Sequence, residues 1–433
     1  MPDRFSGVLS RLEAAEFPAG ADKTMPMDAA VERFIHPGMN IHVGVTHVFP
    51  YAACFEIARR FWKKSPGFTV CSLGALNHIV IWLHGGMVGT LITSYCGDVY
   101  PAPGPNPVFN EQWLSGALKI ENWSVLSYTQ RMLAGALGWP CCPTRSISGS
   151  SMESENAAHM SVVDDPVHGR VVLLSPLNPD ISIYHAWAAD SFGNAIFAPP
   201  YGENLWGAMA SKGGAIITAE RIVDTAFIRR NSGFARLPGQ YVKAVVHAPM
   251  GGHPGGFFPG GVEGADGYAE DYDFIVEFRR ANRKPDLMGP WLEKWVLGAR
   301  GHAEYLERLG GERIGRLKAR SSPDSWRNEL EELSPGVSSS PDWTPAEFMT
   351  IAAAREIAAR VVSGGFEMIL AGQGNANLAA WMARHALAAQ GRRCDLAAET
   401  GFFGYAPRPG NPFLFNFANI PSCTMLTDAL QAL

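Results

Sequence analysis

Short apolar runs alternate with stretches of helical spacing along most of this chain, and that alternation is the strongest constraint on its fold. Asn40–Val45, Phe68–Leu73, Val88–Ser94, Val171–Leu174, Ile181–His185, Ala215–Thr218 and Val242–Val246 read as strands. Met27–Phe34 and Tyr51–Trp62 place apolar residues one helical turn apart. The first of these is broken by His36-Pro37-Gly38. The second runs into Lys63 and Lys64, as the negative end of a helix prefers. Strands separated by helices predict an α/β layered domain with a largely parallel sheet.

Composition narrows the class further. The 433 residues suffice for two to three domains at about 150 residues each. Apolar residues make 47% and charged residues 18%, which argues against a disordered chain. A formal net charge of −5 leaves no basic excess for nucleic acid. The 7 cysteines include no C-x-x-C pair and sit mostly among apolar neighbours. Buried, reduced thiols in a cytoplasmic protein are the expectation. Arg4, Arg11, Glu13, Glu16 and Asp22 interrupt the start of the chain, which does not read as a signal peptide. The longest apolar stretch, 79–92, holds His84 and three glycines and is too short to cross a bilayer.

Residues 1–333 read as one large unit whose last part, about 271–333, turns charged and helical. A serine- and proline-rich linker follows at 334–343, and a second unit occupies 344–433. Its opening, Thr344-Pro345-Ala346-Glu347, combines an N-cap, a proline at the first helical position and a capping-box glutamate. A helix to about Val362, a strand at Glu367–Leu370, a glycine turn at Ala371–Asn377 and a helix at Leu378–Gln390 are expected. This restarts the order seen at residues 27–62, and no short-period repeat is present.

Two features of the second unit can carry chemistry. Gly372-Gln373-Gly374-Asn375 can turn backbone N–H groups toward an anion beside a helix N-terminus. It is not a dinucleotide fingerprint, because Asn377 stands at the third glycine position. Glu399 closes the apolar run Leu396–Ala398 and precedes Thr400-Gly401-Phe402-Phe403-Gly404. A carboxylate in apolar surroundings is poorly solvated and nucleophilic while it stays ionised. The 25 residues from Gly374 to Glu399 allow one helix and one strand. In a parallel sheet both turns then lie at the same edge, and a nucleophile beside an oxyanion nest is equipment for acyl transfer.

These residues resemble the family I coenzyme A transferases of the glutaconate CoA-transferase type. Glu399-Thr400-Gly401-Phe402-Phe403-Gly404 is similar to the family's E-[NS]-G-x-x-[GA] turn, with Thr at the Asn/Ser place. Gly372–Ala379 is similar to G-x-G-x-P-N-L-A, with Ala for Pro. Thr93–Gly97, Pro143–Ser146, Asn178–Asp180 with Asp190–Asn194, and Ile216–Val223 match first-subunit segments in order. Leu237–Val246 leading into Ala248–Pro254 is the most specific match. The family's amino-terminal ligand loop normally carries basic residues. Here it reads Gly44-Val45-Thr46-His47-Val48-Phe49-Pro50, apolar and without the basic residue, which puts an acidic substrate such as a dicarboxylate in doubt.

The resemblance implies two similar open-sheet halves, the second one truncated in this chain, with the site at their junction. It implies coenzyme A transfer between an acyl-CoA and a carboxylic acid, with Glu399 as covalent nucleophile and the N–H groups of Gly374 and Asn375 as oxyanion hole. Gly372, Thr46, His47, Tyr95, Ser146, Gly401 and Gly404 would line the substrate. Coenzyme A enters as acyl-CoA, and no metal is required. A second chain completing the second half, or a homo-oligomer, is the expected partner, with no nucleic acid and no membrane. The alternative is a hydrolase or ring-opening lyase on a CoA thioester; a further one is a non-catalytic partner subunit. His253, between glycines and a proline, reads as ordered by its turn. Glu220 reads as capping or pairing at a helix-like turn after the 215–218 strand.

Overall fold

The computed structural model describes residues 20–45, 48–98, 104–197, 202–257, 266–321, 345–371 and 375–398. The strands, in chain order, are β1 Asn40–Val43, β2 Phe68–Cys71, β3 Gly74–Ala75, β4 Val88–Thr93, β5 Tyr95–Cys96, β6 Lys119–Asn122, β7 Cys142–Thr144, β8 Met160–Asp165, β9 Gly169–Leu174, β10 Ile181–Ala189, β11 Ala195–Ile196, β12 Ala215–Ile222, β13 Val242–His247, β14 Met368–Ala371 and β15 Asp395–Ala398. The main sheet runs β13-β12-β10-β1-β2-β4-β6, all parallel, with β11 antiparallel on β10. β10 is buried at every position, as a central parallel strand covered on both faces should be.

Local signals set the helices. Tyr51–Phe61 buries Tyr51, Ala52, Ala53, Cys54, Phe55, Ile57, Ala58 and Phe61 and ends on Arg59 and Arg60. Asn106 caps Pro107–Leu114 by accepting from the Val108 N–H, with Pro107 at the first helical position. Ser124 caps Val125–Leu137, which stops at Gly138 in the left-handed region (φ 65°).

Three expectations are corrected here. The Val171–Leu174 run lies in β9 of a separate antiparallel sheet, β7-β9-β8, rather than in the parallel one. Its β8 neighbour is mostly exposed, so β9 needs only one buried face. The charged stretch after 271 is less solvated than its composition suggests. Helices Tyr272–Asn282, Pro285–Leu292 and His302–Leu309 bury Phe274, Phe278, Trp291 and Tyr305 in the main core. Their charges sit on the outward faces, while edge-to-face aromatic contacts at 4.8–5.4 Å join Phe278 and Phe274 to Trp291. Glu220 lies inside β12 and not at a helical turn.

In the second unit, helices Pro345–Gly364 and Asn375–Ala389 pack together and share a core of Ile369, Ala371, Ala379, Ala383, Leu387 and Leu396 with β14 and β15. The second helix begins at Asn375, earlier than the glycine turn expected to run to Asn377. β14 and β15 pair in parallel, Met368 opposite Asp395 and Ala371 opposite Ala398. Met368 and Leu370 alternate onto the other face and stay 44% and 43% exposed.

Candidate functional site

The chain builds β1, β2, β4 and β6 outward on one side of β1 and places β10, β12 and β13 on the other. The order reverses between β1 and β10. In an open parallel sheet the carboxyl ends of the strands leave a crevice at that point. β10 runs six residues past Ile183, the partner of the last residue of β1, so Tyr184 and His185 flank the segment that follows β1.

That segment is anchored from two elements. The Gly44 N–H donates to the Ile183 carbonyl at 3.0 Å, and the Val45 N–H reaches Glu203 Oε1 at 3.4 Å. A Cβ on Gly44 would stand 2.7 Å from Asn204 Oδ1 and 3.0 Å from its Cγ, so any side chain here has to shift that of Asn204. Thr46 and His47 lie outside the described residues. After them Val48 packs beneath Gly252, Phe49 lies 5.1 Å from the His78 ring, and the Ala52 N–H donates to the Gly251 carbonyl at 2.9 Å. Glu203 is 1% exposed. Burial pushes its carboxyl up to about 7, against the opposing pull of the Val45, Glu203 and Asn204 N–H groups.

Glu220 and His185 form the floor. The Glu220 carboxylate accepts from His185 Nε2 at 2.8 Å, Tyr268 Oη at 2.9 Å, and the Met250 and Gly251 N–H groups at 2.8 and 3.2 Å. Burial alone would raise this carboxyl, but the hydrogen bonds outweigh it and hold it below the ordinary value. His185 Nδ1 bonds Thr218 Oγ1 at 2.8 Å. His302, pushed down to about 4 by burial, donates from Nε2 to the Pro249 carbonyl at 2.6 Å. The pairing expected of Glu220 is thus present. Three of these donors fall on Oε1 and one, the Met250 N–H, on Oε2, and together they hold the carboxylate in place.

His253 is buried and held on both ring nitrogens, by Tyr305 Oη at 2.5 Å and Asp271 Oδ2 at 3.0 Å. Arg313 clamps the same Asp271 with two bonds at 2.5 and 2.7 Å. This network ties the loop after β13 to the helices beyond residue 271.

Of the expected substrate residues in the first unit, Tyr95 and Ser146 are described. Tyr95, in β5 just past the end of β4, is 37% exposed and donates to the Asp98 carbonyl at 2.6 Å. Ser146 bonds Ser124, the residue capping the helix after β6, at 2.6 Å. Both therefore stand at the carboxyl edge of the sheet, toward its β6 side. Glu399, Gly372, Gly374, Gly401 and Gly404 lie outside the described residues, and of Asn375 only the backbone is described, as the first residue of its helix. Among the described residues no group of three or more His, Cys, Asp or Glu could hold a metal ion, and no helix is long and apolar enough to cross a membrane.

Sequence reasoning passed over Glu203 and His185. A histidine inside the unbroken apolar strand ISIYHAWAA was the available signal, since a buried imidazole must find a partner. Glu203 had none, because its burial depends on where the helix lands.

Residues 24–248 match the family described as coenzyme A transferase. The chain belongs to that family. Among relatives, an uncharacterized protein of Archaeoglobus fulgidus is 30% identical over 303 residues, 69% of this chain and 65% of the relative. The chain thus spans a little under two thirds of that relative's length. One of the glutaconate CoA-transferase subunits of Acidaminococcus fermentans is 27% identical over 322 residues, 68% of this chain and 94% of its own length. The solved glutaconate coenzyme A-transferase from the same organism superposes with a TM-score of 0.61 at 25% identity, covering 68% of this chain and 95% of that one. The parallel open sheet is the one this family uses.

Proposed function

We propose that this coenzyme A transferase family member moves coenzyme A between an acyl-CoA and a carboxylic acid, with Glu399 as the covalent nucleophile. Glu399 attacks the thioester carbonyl and expels CoA thiolate, leaving an acyl-glutamyl anhydride. The thiolate then attacks the glutamyl carbonyl of the anhydride, releasing the first carboxylate and leaving a glutamyl-CoA thioester. The acceptor carboxylate runs the same steps in reverse. The N–H groups of Gly374 and Asn375 receive the oxyanion, a contribution of about 3 kcal/mol per donor in comparable sites. Gly372, Gly401, Gly404, Thr46, His47, Tyr95 and Ser146 line the ligand.

The observation that carries this reading is the parallel register of β14 and β15. Ala371 and Ala398 are partners, about 5 Å apart as in any sheet, and Gly372 and Glu399 are the next residues in sequence. A supporting observation comes from the first unit. Two buried carboxylates at the switch point, Glu203 and Glu220, are engaged with backbone and side-chain donors, which is in keeping with a nucleophile supplied by Glu399. The Met368–Leu370 face and the subunit naming of the Acidaminococcus relative support a second chain as partner of the second unit.

The test is intact-mass analysis of the protein, with any chain that co-purifies, after incubation with several acyl-CoAs and trapping with borohydride or hydroxylamine. A mass change on Glu399 that disappears in Glu399→Ala is expected. Turnover that releases free CoA without an adduct would replace this reading by a thioester hydrolase or ring-opening lyase. No adduct and no turnover would favour a non-catalytic subunit.

A further inference from the structure

A second cavity lies on the opposite side of the molecule from the switch point. It is a cleft of about 750 Å³, within the range of small-molecule sites, between the helices covering β2 and β4 and the helices beyond residue 271. Lys63 and Trp62 sit in the turn between helix Tyr51–Phe61 and the first residue of β2, which places this wall at the amino edge of the sheet. Val108, Met288, Leu292 and Leu297 make the apolar body of the cleft.

The polar side of the cleft has a definite direction. Asn106 Nδ2 donates to Asp98 Oδ1 at 2.8 Å, and Asn282 Nδ2 donates to Asn106 Oδ1 at 3.1 Å. Asn282 Oδ1 must therefore accept, so His84 Nε2, 2.7 Å away, carries the proton. This chain of bonds fixes Asn282 and His84 in the cleft wall. Asp98 also takes Arg279 Nε at 3.0 Å and Arg283 NH2 at 2.7 Å. Arg283 lines the cleft as well. The Lys63 ammonium is exposed and makes no ion pair among the described residues, on a backbone held at φ 56°, in the left-handed region. Of the charged residues lining the cleft, Lys63 and Arg283 face the one carboxylate Glu111, an excess of one positive charge beside an apolar trough.

We propose that this cleft binds an organic monoanion, a carboxylate on an apolar body, with Lys63 and Arg283 taking the head and Met288, Leu292 and Leu297 the body. A dianion is disfavoured because the excess is a single charge and Glu111 stands on the rim. The inference stands whether or not Glu399 is the nucleophile.

Gly289 provides a clean test. It lines the cleft, its φ is ordinary, and a Cβ there meets nothing within 4 Å. Gly289→Leu therefore directs a side chain into open space at the cleft; because Pro290 disfavours a β-carbon on the residue before it in a helix, circular dichroism accompanies this variant, and Lys63→Glu tests the site independently. Calorimetric titration of the full-length protein with octanoate, octanol and inorganic phosphate, with hydrogen exchange to locate the binding, decides the matter. The expected result is one octanoate bound per chain with protection in 77–84 and 285–292. Affinity should fall about tenfold or more in Lys63→Glu, and binding should be lost in Gly289→Leu. Octanol should bind about tenfold more weakly, and phosphate alone should not compete. No octanoate binding, equal binding of octanol, displacement by phosphate, or binding unchanged in both variants would each overturn the proposal.

Discussion

Replacing the buried Glu203 by glutamine should make the protein more stable at high pH, and by an amount that depends on pH. The folded-state carboxyl sits at about 7 against an ordinary 4.5, because burial disfavours its charged form. A group whose folded value is raised holds its proton in the native state at pH values where the unfolded chain has lost it. Between about pH 4.5 and 7 the native state therefore binds more protons, and stability falls as pH rises. The loss is complete above 7. A shift of about 2.5 units corresponds to about 3 kcal/mol, since each unit is 1.36 kcal/mol. Glutamine keeps an acceptor for the Val45 N–H and has no charge to bury. Glu203→Gln should thus match the wild type near pH 5 and exceed it by about 2–3 kcal/mol at pH 8, or about 4–6 °C in midpoint for a domain of this size. Urea unfolding of both proteins at pH 5, 6.5 and 8 measures this directly. A stability difference that stays constant across the range, or that favours the wild type at pH 8, would refute the burial argument for Glu203.

Gly44→Ala should leave the melting temperature within a few degrees yet raise KM for the acyl substrate, because the new methyl displaces Asn204 and with it the segment before Thr46; steady-state kinetics beside a thermal melt checks it. Tyr268→Phe removes one of the donors that hold the Glu220 carboxyl low, at a cost of about 1.5–3 kcal/mol for a buried bond to a charged group. Because a depressed carboxylate stabilises above its unfolded value and loses that contribution as pH falls, acid unfolding of Tyr268→Phe should begin at higher pH than in the wild type. Asp271→Asn leaves Arg313 and His253 without their shared carboxylate and should cost about 3–5 kcal/mol, seen in urea unfolding as an early transition of the helices beyond 271.

Much of this architecture is legible along the chain. Asn40–Val43, Phe68–Cys71, Val88–Thr93 and Val242–His247 begin at the first residue of their expected runs, and Tyr51–Phe61 stops just ahead of the paired lysines. The expected parallel neighbourhood of Glu367–Leu370 and Leu396–Ala398 corresponds to β14 and β15, in register. Tyr95 reaches the edge of the sheet because it follows β4 directly, whereas Ser146, which follows β7 of the antiparallel sheet, reaches it only through its bond to Ser124 at the end of β6. Glu220 was placed one element wrong. Thr218-Ala219-Glu220 extends a strand whose charged end is hydrogen-bonded by residues 35 positions back and 48 ahead, which no window of neighbours contains.

The sequence by itself determined the alternation of strand and helix and the motif order that marks the family. These depend on periodicity and on contacts within a few residues. Only the tertiary structure decided that Val171–Leu174 leaves the parallel sheet, that Glu203 is buried beside the loop after β1, and that Glu220 is already spent on four donors. Each of these depends on which distant segments come together. The desolvation that raises one carboxyl and the hydrogen bonds that lower the other exist only once those segments have met.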